Sequence, residues 1–126
     1  MALKYFYKHQ AEQYSFIRIP KALITDDVFK TLSIEAKLLY GMLLDRMTNS
    51  TKNRWIDDKN RVFIIYPLLH IQQELDISKK KAVAILSELE EIGLIERIIR
   101  GQGLPSIIYI KSFLLEQGDY VTICEE

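Results

Sequence analysis

Three features of the sequence predict an α+β winged helix-turn-helix fold with an additional β-hairpin before the helix-turn-helix and an N-terminal extension. A short connection at residues 75–78 separates two amphipathic helical patterns. Two β-rich runs, 94–100 and 106–111, surround a glycine-containing turn and predict a wing. Upstream of the helices, the runs 55–56 and 62–66 enclose a polar four-residue turn, which predicts the additional hairpin.

Length and composition indicate one globular domain. The chain has 126 residues, of which 48% are hydrophobic and 27% charged. We expect residues 1–126 to form a single winged-helix domain, with 1–16 as an arm and 114–126 as an acidic tail or connector. The single cysteine, Cys124, allows no intramolecular disulfide, and no apolar run approaches the roughly 20 residues that cross a bilayer. A cytoplasmic protein without a membrane partner is expected.

Charge is distributed unevenly along the chain, although the formal net charge is zero. All 17 lysines and arginines lie within residues 1–111, whereas four of the 17 acidic residues follow Lys111. The first 111 residues therefore carry 17 minus 13, or +4. Three consecutive lysines, Lys79, Lys80 and Lys81, precede a run that is rich in glutamate. A basic patch on a mildly basic body is compatible with a nucleic-acid partner.

The N-terminal half is expected to be mainly helical. Residues 15–19 have the composition of a short strand that ends at Pro20. Short helical turns are expected at 21–24 and around 26–30, where Thr25 and Asp26 could accept hydrogen bonds from free amides. Ser33 is a suitable N-cap for a long core helix that continues to about Met47.

The helix-turn-helix has clear boundary signals. Pro67 is placed near the first turn of a helix that ends at about Leu75. Ser78 is the expected N-cap of the second helix, which runs to Ile92, and Gly93 fits the C′ position. Helical periodicity gives this second helix an apolar stripe formed by Ala82, Ile85, Leu86, Leu89 and Ile92.

The opposite face of this second helix is the predicted DNA-contacting surface. Lys80, Ala84 and Ser87 point away from the stripe, and their flanks are formed by Lys79 and Val83 on one side and Lys81 and Glu88 on the other. Small residues beside lysines allow close approach to base edges in the major groove. Cations at a helix N-terminus oppose the helix dipole, which favours a phosphate partner. The alternative is a solvated helix start without a ligand.

The wing gives a second, independent indication of DNA binding. Arg97, Arg100 and Lys111 occur between Glu96 and Ser112 without an intervening acid. Arg100 and Gln102 are expected at the hairpin tip, where they could reach a minor groove or a flanking phosphate. A solvated turn is the alternative. The predicted DNA-binding residues are Ser78, Lys79, Lys80, Lys81, Ala84, Ser87, Arg97, Arg100 and Gln102.

Catalytic and metal-binding patterns are absent from the sequence. His9 and His70 fall on different predicted elements, without further ligands at helical spacing. Asp57 and Asp58 could bind Mg²⁺, but an acidic pair in a hairpin turn is more typical of turn formation. We therefore expect no cofactor, no small-molecule substrate and no catalysed reaction.

Aromatic residues are concentrated near the N-terminus, at Tyr5, Phe6, Tyr7, Tyr14 and Phe16. Exposed rings beside a basic groove could stack on single-stranded bases. Rings outside the core could also pack on their own domain or on a partner subunit. Because three consecutive aromatic residues cannot all face one core, the arm favours a homodimer contact.

Several strings together resemble the N-terminal domain of the RepA family of plasmid replication initiators from Gram-positive bacteria. They are IPKALI at 19–24, LSIEAKLLYGMLLDRM at 32–47, KNRWIDDKNRVFIIY at 52–66, the helix-turn-helix, and GQGLPSIIYIKSF at 101–113. The resemblance implies binding to repeated double-stranded DNA sites at an origin, usually as a dimer. It also implies a further C-terminal domain, absent here, that recruits host replication proteins. A winged-helix transcription regulator and a protein-interaction module of a primosome are the alternative functions.

Overall fold

The computed structural model describes residues 2–8, 13–48 and 52–113. Its helices are α1 (Ala22–Thr25), α2 (Ile34–Met47), α3 (Leu68–Leu75) and α4 (Lys79–Glu91), with a 3₁₀ turn at Asp27–Phe29 between α1 and α2. Strands β1 (Ile64–Ile65), β2 (Ile95–Ile98) and β3 (Ile107–Ile110) form an antiparallel sheet in the order β1-β3-β2. The predicted helix-turn-helix and wing are confirmed.

The core lies between α2, α4 and the sheet. Leu39 and Leu43 of α2, Ile85 and Leu89 of α4, and Ile64 of β1 are completely buried. Burial of each such aliphatic side chain contributes about 1.5 to 3 kcal/mol to folding. The predicted stripe on α4 is confirmed as the face that packs inward, and its outward face is thereby fixed.

Both ends of α4 are formed by local signals that the sequence contains. The Ser78 hydroxyl oxygen accepts a 3.0 Å hydrogen bond from the amide of Lys81. At the other end, Gly93 has a φ of 91°, and the Leu94 amide donates to the Leu89 carbonyl at 2.9 Å. This is a Schellman motif, in which a left-handed glycine satisfies the last carbonyls of the helix. The predicted caps are confirmed.

The turn between α3 and α4 depends on a left-handed residue. Pro67 is the N-cap of α3, and Asp76 at its C-cap has a φ of 55°. The Ile77 amide then donates to the Gln72 carbonyl at 3.0 Å. Aspartate tolerates this conformation better than most non-glycine residues, so the chain can reverse within three residues and start α4 at Ser78.

Residues 15–19 do not form the strand that their composition predicts. The segment lies against α2, where a Cβ atom on Gly41 would be 2.7 Å from Ile19 Cγ1 and 3.1 Å from the Arg18 carbonyl oxygen. Ile17 and Ile19 make this helix contact, whereas Phe16 is largely exposed, and no strand in the described part of the chain pairs with the segment. The composition predicted a strand, but the segment contacts a helix and not a sheet edge.

The additional hairpin is present in a shortened form. A single antiparallel bridge joins Ile56 and Val62, and the Phe63 amide donates to the Trp55 carbonyl at 3.1 Å. The second run continues into β1, which pairs with β3. Part of the predicted hairpin is therefore an edge of the wing sheet.

Asp57 organises the turn of this hairpin and joins it to the wing. Its Oδ1 accepts from the Arg61 amide at 2.7 Å, and its Oδ2 accepts from the Tyr109 hydroxyl at 2.9 Å. Desolvation alone would raise the pKa of Asp57, but the hydrogen bonds from Arg61 and Tyr109 outweigh it and hold the pKa well below its usual value. The turn interpretation of this acidic residue is confirmed.

Glu88 connects α4 to the start of α2. Its two carboxylate oxygens accept from the Ser33 amide at 2.7 Å and from the Ser33 hydroxyl at 2.8 Å. The Ser33 hydroxyl oxygen in turn accepts from the Ala36 amide at 3.1 Å, as expected for an N-cap. One carboxylate thus supports the cap of a helix that is remote in sequence.

Replacing Glu88 by alanine should lower the free energy of unfolding by roughly 1.5 to 3 kcal/mol, because two charge-assisted hydrogen bonds are removed. Urea denaturation of Glu88→Ala measures the effect. Glu91→Ala is the control, since Glu91 is exposed on the same helix. Equal stabilities of the two variants would contradict the proposed role of Glu88.

The aromatic arm is exposed in this structure. Tyr5 is 85% exposed and Phe6 58%. The rings of Phe6 and Tyr14 meet edge to face at 5.7 Å, and those of Tyr14 and Phe16 at 6.4 Å. These rings contact one another and do not enter the core.

The expected acidic tail, together with His9 and Cys124, lies outside the described residues. Within the described ranges, no helix is long and apolar enough to cross a membrane.

Candidate nucleic-acid interface

The outward face of α4 presents small and basic side chains to solvent. Lys79, Lys80 and Ala84 are exposed, and Ser87 is partly exposed. Their positions follow from the burial of the opposite stripe, since 3.6 residues per turn place them on the far side of the helix. Ser78 is exposed, but its hydroxyl oxygen is used as the N-cap. The outward face of α4 therefore carries short side chains, and its lysines lie in the first turn of the helix.

The three lysines of the first turn have different surroundings. Lys81 lies on the side of α2, where its Nζ is 3.6 Å from Glu35 Oε2. A backbone hydrogen bond and the nearby Lys81 charge lower the pKa of Glu35, so this carboxyl stays ionised. Lys79 and Lys80 have no ion-pair partner among the described residues. Of the three lysines in the first turn of α4, Lys79 and Lys80 therefore have ammonium groups that are available to an anionic ligand.

The two arginines of the wing, Arg97 and Arg100, also differ in their hydrogen-bond partners. The Arg97 guanidinium donates to Glu90 Oε1 from Nη2 at 2.8 Å and from Nε at 3.1 Å. At the tip, Arg100 Nε donates to the Pro105 carbonyl oxygen at 2.9 Å, and the side chain is otherwise exposed. Arg97 thus links the wing to α4, whereas Arg100 is positioned at the surface.

The wing tip has a defined backbone conformation. Gly101, Gln102 and Gly103 have φ values of 76°, 56° and 77°. Two of these positions are glycines, which adopt the left-handed region without steric cost, while Gln102 is held there at some cost. The Leu104 amide closes the turn by donating to the Gly101 carbonyl at 3.0 Å. Gln102 is therefore displayed at the outermost point of a tight turn.

The glutamates of α4 have structural roles that sequence reasoning missed. Glu88 bonds to Ser33 and Glu90 to Arg97, so both acidic charges are used within the domain. The sequence showed only that acids follow lysines along the helix. No local pattern identifies partners that lie on α2 or on the wing.

A cleft between α4 and the wing was also missed. It has a volume of about 250 Å³ and opens between Val83 and Leu86 of α4 and the returning wing residues Leu104, Pro105 and Ser106. The aliphatic walls arise because Val83 occupies the flank of α4 that faces the wing. Helical periodicity had placed Val83 on a flank without indicating its neighbour.

Comparison with known proteins identifies the family of this chain. A family model described as the N-terminus of replication initiator protein A (RepA) matches residues 15–123. A curated protein of Lactobacillus helveticus, described as a 41 kDa protein, is 26% identical over 101 residues. The matched region is 75% of this chain and 29% of that relative, so this chain spans less than a third of the relative's length.

Solved structures share the fold over nearly the whole chain. One described as the N-terminal domain of a DNA binding protein has 29% identity and a TM-score of 0.73, covering 94% of this chain and 90% of that one. A Rep-DNA complex has 30% identity and a TM-score of 0.73, with coverages of 91% and 89%. A structure of an MDR initiator has 28% identity and a TM-score of 0.71, with coverages of 92% and 92%.

These matches confirm the family resemblance of the motif strings and the winged-helix fold. The family model extends over most of the chain and includes α2, both helices of the helix-turn-helix and the wing. The chain belongs to the family of replication initiator protein A (RepA) N-termini.

Proposed function

We propose that this chain binds double-stranded DNA at repeated sites in a plasmid replication origin, with α4 in the major groove and the wing on the flanking DNA. The observation that carries the proposal is the outward face of α4, where Lys79 and Lys80, without an ion-pair partner in the described ranges, adjoin the small residue Ala84. Membership of an initiator family and likeness to a Rep-DNA complex support it.

Within this interface, six residues divide into three groups. Lys79 and Lys80 neutralise phosphates at the groove edge and determine affinity more than sequence preference. Ala84 and Ser87 approach base edges, because short side chains allow the helix backbone to come close. Arg100 and Gln102 contact a flanking phosphate or minor groove.

Three further residues that were predicted to bind DNA already have partners within the domain. They are Ser78, Lys81 and Arg97. Ser78 starts the helix that carries the lysines. Lys81 and Arg97 contact DNA only by leaving Glu35 and Glu90, so we assign them the smaller contributions. The exposed Lys81–Glu35 pair contributes little to stability, so its exchange costs little. The Arg97–Glu90 pair is partly buried and has two hydrogen bonds, so its exchange costs more.

Replacing Lys79, Lys80 and Lys81 together by alanine should weaken binding and flatten its salt dependence. The slope of log K against log salt should fall by about 0.9 for each phosphate that the protein no longer neutralises. Fluorescence anisotropy at several salt concentrations measures both quantities. A matched control removes the same charge at Lys21, Lys30 and Lys37, which are outside α4. If both triple variants reduce affinity and slope equally, the effect is one of net charge and α4 is not the interface.

We further propose that residues 1–126 act as one DNA-binding domain that forms a homodimer and catalyses no reaction. The exposed rings of the N-terminal arm support self-association, because a second copy would cover them. We place the protein in the cytoplasm, where an origin is accessible. Contact with host replication proteins we assign to a further domain of the kind that the family resemblance implies.

A further inference from the structure

Val83 is an apolar side chain in an exposed position of α4. It is 39% exposed and follows the exposed Lys79 by one helical turn. A β-branched residue is a poor choice for an outward position, because its χ1 freedom is restricted in a helix and its methyl groups face water. Neighbouring residues of the cleft cover only part of this side chain, so apolar surface remains open to a ligand.

Val83 lines a cleft of mixed character, in which aliphatic side chains lie beside the polar or charged Tyr66, Arg97 and Ser106. Across the cleft, Leu104 is 54% exposed, and Pro105 and Ser106 continue the wall. The hydrogen bond from Arg100 Nε to the Pro105 carbonyl oxygen fixes this wall at the base of the wing tip. Lys79 precedes Val83 by one turn of α4, and Arg97 itself lines the cleft, so a ligand there lies near positive charge.

We infer that Val83 and Leu104 form an apolar subsite for the 5-methyl group of a thymine in the bound DNA. In the major groove, the 5-methyl group is the apolar feature that distinguishes thymine from the other bases, and aliphatic side chains recognise it by contact. The adjoining Lys79 and Lys80 favour the anionic backbone that carries this base. The inference rests on the proposed docking of α4 and adds one specific base preference to it.

The subsite is tested by removing the methyl group from the DNA. The probe is the tightest-binding duplex that the full chain selects from a random-sequence pool, with each thymine replaced in turn by deoxyuridine. At one or two positions, loss of a buried methyl group should weaken binding about fourfold. Val83→Ala should bind the unmodified duplex about fourfold more weakly and should be insensitive to uracil at those same positions.

Control variants keep the result interpretable. Val83→Ala replaces valine by a better helix former, so α4 should remain folded. Val28→Ala removes the same atoms from a valine that is 50% exposed in the 3₁₀ turn, and it should bind both duplexes like the unsubstituted protein.

The possible results separate the subsite from the proposed function. If no uracil substitution weakens binding while the lysine variants still do, the subsite is wrong and the docking of α4 stands. If neither set of changes affects binding, both are wrong. If uracil weakens binding of Val83→Ala as much as that of the unsubstituted chain, the methyl group is read elsewhere on the protein.

Discussion

Substitution of Ala84 by glutamate is expected to abolish specific DNA binding. Ala84 is exposed in the middle of the outward face of α4. In the proposed complex, the new carboxylate would enter a groove between two phosphate backbones, and its bulk would keep the helix away from the bases. Like-charge contact of this kind costs several kcal/mol, which corresponds to a loss of affinity of more than about a hundredfold.

The free protein should tolerate this change. Alanine and glutamate both favour helices, and the side chain points to solvent, so the melting temperature should shift little. Ile34→Glu adds the same charge at a residue of α2 that is 81% exposed, and it should retain binding. Electrophoretic mobility shift with both variants gives the comparison. Tight binding by Ala84→Glu would mean that another face of the protein contacts DNA.

Deletion of residues 1–14 is expected to convert the proposed homodimer into a monomer. The arm exposes Leu3, Tyr5 and Tyr7 at 84%, 85% and 66%, which is a large apolar surface for a chain of this size. A single winged-helix module buries only about 600 to 1,000 Å² of its own surface on DNA, so two copies extend the recognised site. Analytical ultracentrifugation should show half the mass, and the DNase I footprint should shorten.

A milder variant separates the arm's surface from its length. Replacing Tyr5, Phe6 and Tyr7 by serine keeps the chain intact and removes three of the exposed rings. It should give the same monomer as the deletion. An unchanged mass and footprint for both variants would place the dimer contact outside the arm.

Local signals were sufficient to predict the elements that carry the interface. Ser33 and Ser78 cap their helices as expected, and Gly93 ends α4 in a left-handed conformation. Hydroxyl caps, glycine C′ positions and helical periodicity act within four residues, so sequence alone contains them. The outward face of α4 followed from the same periodicity.

Contacts between distant residues could not be predicted in the same way. Glu88 and Ser33 are 55 positions apart, and Tyr109 and Asp57 are 52 apart. Whether a surface carboxylate faces solvent or another element depends on how the helices cross and how the sheet is ordered. The misassigned strand at 15–19 has the same origin, because an apolar extended segment suits a helix surface and a sheet edge equally well.

Site-specific disulfide trapping tests the central claim, that α4 lies in the major groove. Cys124 is first replaced by serine, and a single cysteine is introduced as Lys80→Cys, Ser87→Cys or, as a control outside α4, Lys30→Cys. The selected duplex carries a thiol tether on the N4 amine of one cytosine, which projects into the major groove. We expect disulfides with the cysteine at position 80 or 87 and none with the cysteine at position 30. Equal trapping at position 30, or none at either α4 position, would contradict the proposed docking.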